Sequence, residues 1–236
     1  MNRSSRLRKN AVPVLFLIPL MAILGCNKGN PADTETGPPS VIGTVTDAKG
    51  APVESVAVHF ISHTVPVHAG SSLAKVASKV LIEFDVPARC LVTIILYRMG
   101  TGELIDTLTN DTLGSGINTV QYDASFLTNG AYPYKIYFNH VFSSEQHLLL
   151  ITTDLEQLAM TQPVVRTDKE GRFTLPNSVF GIGLQVVNVV SPTQKDTLQV
   201  TNVVDLVAYR AGYQFLTARI AVDPAVFLKK SFTLLK

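Results

Sequence analysis

From Val41 onward, apolar residues recur at every second position in short runs, and Gly, Pro, Asn or Asp punctuates the runs. A period of two places alternate side chains on opposite faces of a strand. Within Val53–Ile61, Val56, Val58 and Phe60 share one face, while Ala57, His59 and Ile61 share the other. Similar runs are Val80–Val86, Leu91–Tyr97, Leu104–Leu108, Asn118–Asp123, Tyr132–Phe138 and His147–Thr153. Gly183–Val190, Val203–Arg210, Phe215–Val222 and Lys230–Leu235 complete the series. Strands at spacings of roughly 8–12 residues with turn signals between them are the pattern of an all-β sandwich. Only Leu155, Leu158 and Met160 suggest a helical turn, and no βαβ unit is present. Two hairpins are expected. One joins Val41–Thr46 to Val53–Ile61 around Asp47–Gly50, and the other joins Val164–Thr167 to Arg172–Leu175 around Asp168–Gly171. Asp and Gly suit such turns because Asp bonds its own downstream backbone and Gly accepts positive φ. His63–Ser72 breaks the alternation.

The N-terminus is of another kind. Arg3, Arg6, Arg8 and Lys9 precede the apolar run Ala11–Leu24, which ends in Gly25-Cys26. A basic start, a short apolar stretch and a small residue at the cut are the parts of a secretory signal. A spanning helix would need about 20 apolar residues, and this run is shorter and holds Pro13 and Pro19. Residues 1–25 are therefore expected to be a signal peptide. Removing them changes the formal charge from +2 to about −2, so the alkaline pI of 8.5 is largely the signal's. No basic patch of the kind nucleic acid needs is left. Residues 26–40 are rich in Pro, Gly, Asn, Thr and Ser without periodicity, and read as a flexible tether. Cys90 lies in an apolar strand context, where a lone thiol behaves as a small hydrophobe.

Three resemblances are carried by particular residues. Ile23-Leu24-Gly25-Cys26 resembles the lipobox of bacterial lipoproteins. That resemblance implies cleavage after Gly25 and lipid on Cys26; a plain cleaved signal is the alternative. Ile42-Gly43-Thr44-Val45, Asp47, Gly50, Pro52-Val53 and Val56-Ala57-Val58 resemble the opening of carboxypeptidase regulatory-like domains. Thr167-Asp168-Lys169-Glu170-Gly171-Arg172-Phe173-Thr174-Leu175 and Gly212-Tyr213 resemble that family's later segments. Between them, Ile82–Pro87, Val92–Tyr97, Thr107-Leu108, Gly116–Val120 and Gly130-Ala131-Tyr132-Pro133-Tyr134 resemble the immunoglobulin-like domain of flagellar hook-capping (FlgD-like) proteins and the related type IX sorting domains. The implied architecture is two nested immunoglobulin-like/prealbumin-like β-sandwiches. A carboxypeptidase regulatory-like sandwich from residues 41–64 and 161–236 would be interrupted by a FlgD-like domain at 76–154. Exposed loops tolerate such insertions when the inserted ends lie close together.

Candidate chemistry is sparse. His59, His63 and His68 invite a zinc reading, but His59 and His63 would lie about 13 Å apart on a straight strand, and zinc needs three or four converging ligands. Asp168–Gly171 has too few acids for a calcium loop. Gly114-Ser115-Gly116 lacks the nucleophile-elbow frame. Asp106 and Asp111 have no context for glycoside hydrolysis. In Tyr132–Tyr137, Tyr132 and Tyr134 share one face and Tyr137 the other, so part of this strand could offer an aromatic surface. No catalytic residue, metal site or cofactor is assigned.

The expectation is a non-enzymatic, lipid-anchored envelope or surface protein, exported and held at the cell membrane or outer membrane through Cys26. It would act as a scaffold or protein-binding module for an envelope protein; the alternative is a carbohydrate-binding surface lipoprotein. Cys26→Ser should release the protein from the membrane fraction or stall its processing. Normal cleavage with unchanged tight membrane association would contradict lipidation.

Overall fold

A computed structural model describes residues 38–67, 79–191 and 194–236, with the side chains of residues 188–191 and 194 left aside. The proposed signal, Gly25, Cys26, His68 and most of the tether lie outside the described residues. The fold is all-β apart from one short helix. Strands β1 (Ser40–Asp47), β2 (Ala57–Pro66), β3 (Lys79–Val86), β4 (Cys90–Tyr97), β5 (Leu104–Leu113), β6 (Gly116–Asp123), β7 (Gly130–Phe138) and β8 (Val141–Leu150) come first. Helix α1 (Leu155–Met160) follows, then β9 (Val165–Arg166), β10 (Arg172–Pro176), a 3-10 turn at Asn177–Phe180, β11 (Gln185–Ser191), β12 (Gln194–Tyr209), β13 (Leu216–Ala221) and β14 (Leu228–Leu234).

These strands form four sheets. One has the order β10-β1-β14; a second has β11-β12-β2-β9, with β13 also paired to β12. The third is β3-β6 and the fourth is β5-β4-β7-β8. The first core lies between the first two sheets: Val41, Val45, Phe173, Leu175, Phe232 and Leu234 meet Val58, Phe60, Val204 and Leu206. The second lies between the other two, where Ile82, Phe84 and Val86 meet Val92, Ile94, Leu96, Tyr134 and Ile136. Each set alternates along its strands, as a sandwich interior requires. The far side of β2 and β12 is covered as well. Ile61 and Val207 pack on Leu158 of α1, and Val200 and Val186 pack on Ala131 and Leu149. Helix α1 is short but well started, because the Asp154 carboxylate accepts from the Glu156 and Gln157 amides.

Neither expected hairpin is one. β1 and β2 are not ladder partners: the backbone pairing between them is limited to a Thr46–Pro52 bridge at the turn, and the strands enter facing sheets. The strands on either side of Asp168–Gly171 also part: β9 pairs with β2, and β10 pairs with β1. The reason is burial. Ala57–Ile61 is buried on both faces, so this stretch belongs in a layer packed from both sides, where it pairs with β12, and not in a two-stranded ribbon with one face in solvent. The turns themselves are as expected. The Asp47 carboxylate accepts from the Lys49 and Ala51 amides, and the Asp168 carboxylate accepts from the Arg172 amide. Four smaller differences follow. The strand starting at Val53 begins at Ala57, after Ser55 at φ 60°. β2 continues to Pro66 through part of the expected break, because it pairs with both halves of β12 across a bulge at Val200–Val204. Strand β8 starts earlier than expected, at Val141, after a turn with Asn139 and His140 both at positive φ. The tether ends sooner: the Pro39 carbonyl accepts from the Asn177 amide, and Ser40 is already buried in β1.

The pairing of β1 with β10 joins residues more than a hundred positions apart, with Gly43 opposite Phe173. A Cβ on Gly43 would fall inside the Phe173 ring, so only glycine admits that ring. Gly171 sits at φ +70°, and a Cβ there would collide with the Val45 carbonyl oxygen. Gly50 has a similar φ of +81° but open space around it. Gly171→Ala should therefore lower the unfolding free energy by about 2–3 kcal/mol, against about 1 kcal/mol for Gly50→Ala. Urea melts of both variants check this; equal losses would mean that close approach to β1 adds nothing to the backbone strain.

Candidate functional site

The described histidines do not converge. His59 is 1% exposed and stands on the face of β2 away from the first core. Its Nδ1 lies 3.2 Å from Thr128 Oγ1, and its Nε2 has no partner among the described residues. Burial, with a smaller contribution from the Arg166 charge, pushes its pKa down to about 4, so the ring is neutral at pH 7. His63 is half-exposed, with Nε2 2.9 Å from Asp205 Oδ2. Arg219 donates to both oxygens of the same carboxylate, at 2.8 and 3.1 Å. Those Arg219 bonds lead the effects holding Asp205 below the usual carboxylate range. Among the described residues, no three His, Cys, Asp or Glu side chains gather as metal ligands would.

Among the described residues, His59 and Thr128 form a pair with the outline of a base and a nucleophile. Such a pair requires a third group that orients the base and stabilises its cation. Here the nearby charge is Arg166, which disfavours the imidazolium. The structural role of this neighbourhood is clear from its bonds. Tyr132 Oη donates to the Thr128 carbonyl at 2.8 Å. Asn129 exchanges two side-chain bonds with the Thr152 backbone, at 2.6 and 2.8 Å. The β6–β7 connection is thereby clamped against β2 and the end of β8.

The other candidates are also placed. Cys90 is half-buried against the second core, less enclosed than its sequence context suggested, because it begins β4 at the rim of the sheet. Asp106 and Asp111 are five residues apart on β5, roughly 16 Å along the strand; this is too far for a glycosidase pair. Gly114 and Gly116 bracket the β5–β6 turn, where Asn118 Nδ2 donates to both carbonyls.

What the fold does assemble is a surface. On β4, Val92, Ile94 and Leu96 point into the second core, so Leu91, Thr93, Ile95 and Tyr97 point outward. The register sets Thr93 beside Tyr137 and Ile95 beside Lys135. It then sets Tyr137 beside Phe142 and Lys135 beside Glu145. The Tyr137 and Phe142 rings meet edge to face at 6.0 Å. Lys135 Nζ lies 5.1 Å from the Tyr97 ring centre and 3.6 Å from Glu145. At one end, near Ala131 and Leu149, the face is covered by Val186 and Val200. Leu91, Ile95, Tyr97 and Tyr137 belong to none of the four buried clusters among the described residues. Tyr132 and Tyr134 face inward, and the Tyr134 hydroxyl donates to Gln146 Oε1 at 2.7 Å. Burial raises its pKa to about 12. Sequence reasoning separated Tyr137 from the other two tyrosines but did not bring it to Tyr97 and Phe142. The signal was present in Leu91–Tyr97, a strand apolar on both faces.

The His59 shift has a consequence for stability. An unfolded histidine titrates near 6.5, whereas folded His59 titrates near 4. Between these values the unfolded chain binds a proton that the native ring refuses, so stability falls as pH drops from about 6.5 to about 4. The loss is on the order of 3 kcal/mol at the acid end. Urea melts at several pH values should show a steeper decline for the native chain than for His59→Gln; identical slopes would rule this out.

Comparison with protein-family models, with curated proteins and with solved structures found no match to this chain.

Proposed function

We propose that this chain is a non-enzymatic, lipid-anchored protein of the bacterial envelope or cell surface that acts as a scaffold or protein-binding module. Cys26 would carry the lipid, and the tether would hold the folded part off the membrane on the exported side. The proposed build is the nested one, with a FlgD-like immunoglobulin-like domain inside a carboxypeptidase regulatory-like sandwich. In support, β3 to β8 pair only among themselves, while β1 pairs with β10 and β14 across them.

The observation that carries the binding role is the outward face of β4 and β7. Leu91, Ile95, Tyr97, Tyr137 and Phe142 supply aliphatic and aromatic surface, with Thr93 and Lys135 interleaved among them on the two central strands and Asn110 and Glu145 on the flanking strands. A surface that mixes aromatic and aliphatic side chains with a few hydrogen-bonding groups has the composition of a protein interface. Branched aliphatic side chains between the rings suit a protein partner better than a glycan, which prefers flat aromatic platforms. The Lys135–Glu145 pair balances charge on this face, so the partner is not selected by net charge.

A photo-crosslinking residue placed at Ile95 should yield a discrete adduct in intact cells, with one partner identified by mass spectrometry. Tyr97→Ala should weaken that adduct several-fold, and a crosslinker at Gln121 on β6 should not give it. The same products from both positions would sink the proposed interface.

A further inference from the structure

Away from the sheet face, the β4–β5 turn, the β6–β7 connection and the segment after α1 meet. There a half-open cleft of about 230 Å³ is walled by Arg98, Glu103, Leu104, Phe126 and Gln162, with buried Thr128 at its lining. We propose that this cleft is a subsite for one neutral sugar residue, held at a chain end or branch.

Each wall is fixed by its own element. The Arg98 amide donates to the Glu103 carbonyl at 2.8 Å, and the Arg98 Nε–H donates to Glu103 Oε2 at 3.0 Å. The turn therefore presents a guanidinium and a carboxylate side by side. Leu127 N–H donates to the Ala124 carbonyl, which folds the β6–β7 connection and sets Phe126 outward. Gln162 follows Thr161, whose hydroxyl is tied to the Leu158 carbonyl at 2.7 Å. The floor is rigid for the reasons already given: Thr128 and Tyr132 are buried, the Tyr132 hydroxyl donates to the Thr128 carbonyl, and Thr128 Oγ1 pairs with His59 Nδ1.

The chemistry of the walls selects the ligand class. Arg98 and Glu103 cancel in charge, so an anion would have to displace Glu103 and a cation would have to displace Arg98. A hydroxyl does neither, because it accepts from the guanidinium and donates to the carboxylate together. Gln162 adds a further donor and acceptor. Phe126 is 55% and Leu104 56% exposed, which gives the C–H faces of a sugar ring apolar contact. A lipid tail would take the Arg98–Glu103 pair and Gln162 out of water while offering them no hydrogen bonds, at a cost. The volume is below the range of about 300–1,000 Å³ usual for larger ligands, so it suits a single ring with the rest of the glycan outside. One ring in an open cleft binds in the millimolar range.

The test is a titration of the ¹⁵N-labelled full chain in detergent micelles, followed by amide shifts. The probes are the methyl glycosides of glucose, galactose, mannose and N-acetylglucosamine, with sodium acetate and methylguanidinium as charged controls. At least one glycoside should give saturable shifts confined to residues 98–104, 126–128 and 162, and neither charged control should. Phe126→Ala and Gln162→Ala should each weaken binding about tenfold with the remaining spectrum unchanged. Gln162 is exposed, so its variant keeps the test valid if Phe126→Ala perturbs the fold. No saturable shift with any glycoside, a preference for acetate at the same amides, or shifts on the β4–β7 face instead would each overturn the proposal. These outcomes are separate from the crosslinking result at Ile95, so either site can fail alone.

Discussion

Strand β2 has no solvent face over Ala57–Ile61, and the rest of the architecture follows from closing both of its sides. Val58 and Phe60 look into the first core, where the Phe60 and Phe180 rings meet edge to face at 5.0 Å. Ile61 looks the other way onto Leu158, and His59 onto Thr128. Along its edges β2 pairs with β12 throughout this stretch and with the two-residue β9 at Ala57 and Val58. Strand β12 reaches 16 residues, pairing first with β11 and then with β13 along its other edge. The bulge near Thr201 lets one long strand serve both partners, and the Thr201 hydroxyl donates to the His63 carbonyl there.

The same constraint decides what could be read from the chain. Element type was legible for most of the chain, because period-two alternation survives in most strands, and Leu155, Leu158 and Met160 marked the turn that is α1. Partner choice was not. Asp47–Gly50 and Asp168–Gly171 carry the chemistry of tight reversals, and tight reversals formed at both places. A reversal says only that the chain turns back; whether it returns in the same sheet or crosses to the facing one depends on which neighbours bury it. That information lies more than a hundred residues away, in the Gly43–Phe173 contact and in the far half of β12. The pairing of these two distant segments is not written in local pattern.

Sites were less legible than strands, and for a related reason. Histidine spacing drew the eye to His59 and His63, yet one is a neutral side chain inside the packing and the other is paired with Asp205. Neither role is written in spacing along a strand. The outward group of Leu91, Ile95, Tyr97, Tyr137 and Phe142 is assembled from three strands, and its members look like ordinary core residues one at a time. Only register turns them into a patch, by setting Thr93 against Tyr137 and Tyr137 against Phe142.

That origin also shapes how such a patch would bind. Binding is opposed by the entropy of ordering side chains at the interface. On this face much of that ordering is already done. Tyr137 is propped edge to face by Phe142, and Tyr97 lies under Lys135, which Glu145 also holds. Ile95 is β-branched on a central strand and has few rotamers to lose. A partner docking here would gain apolar burial while freezing little that is still free, so affinity would come from shape and from the aromatic centre more than from charge. The Arg98–Glu103 cleft works on the opposite balance: its charges are paired before any ligand arrives, and selectivity would rest on hydroxyl groups that bridge both partners without breaking the pair.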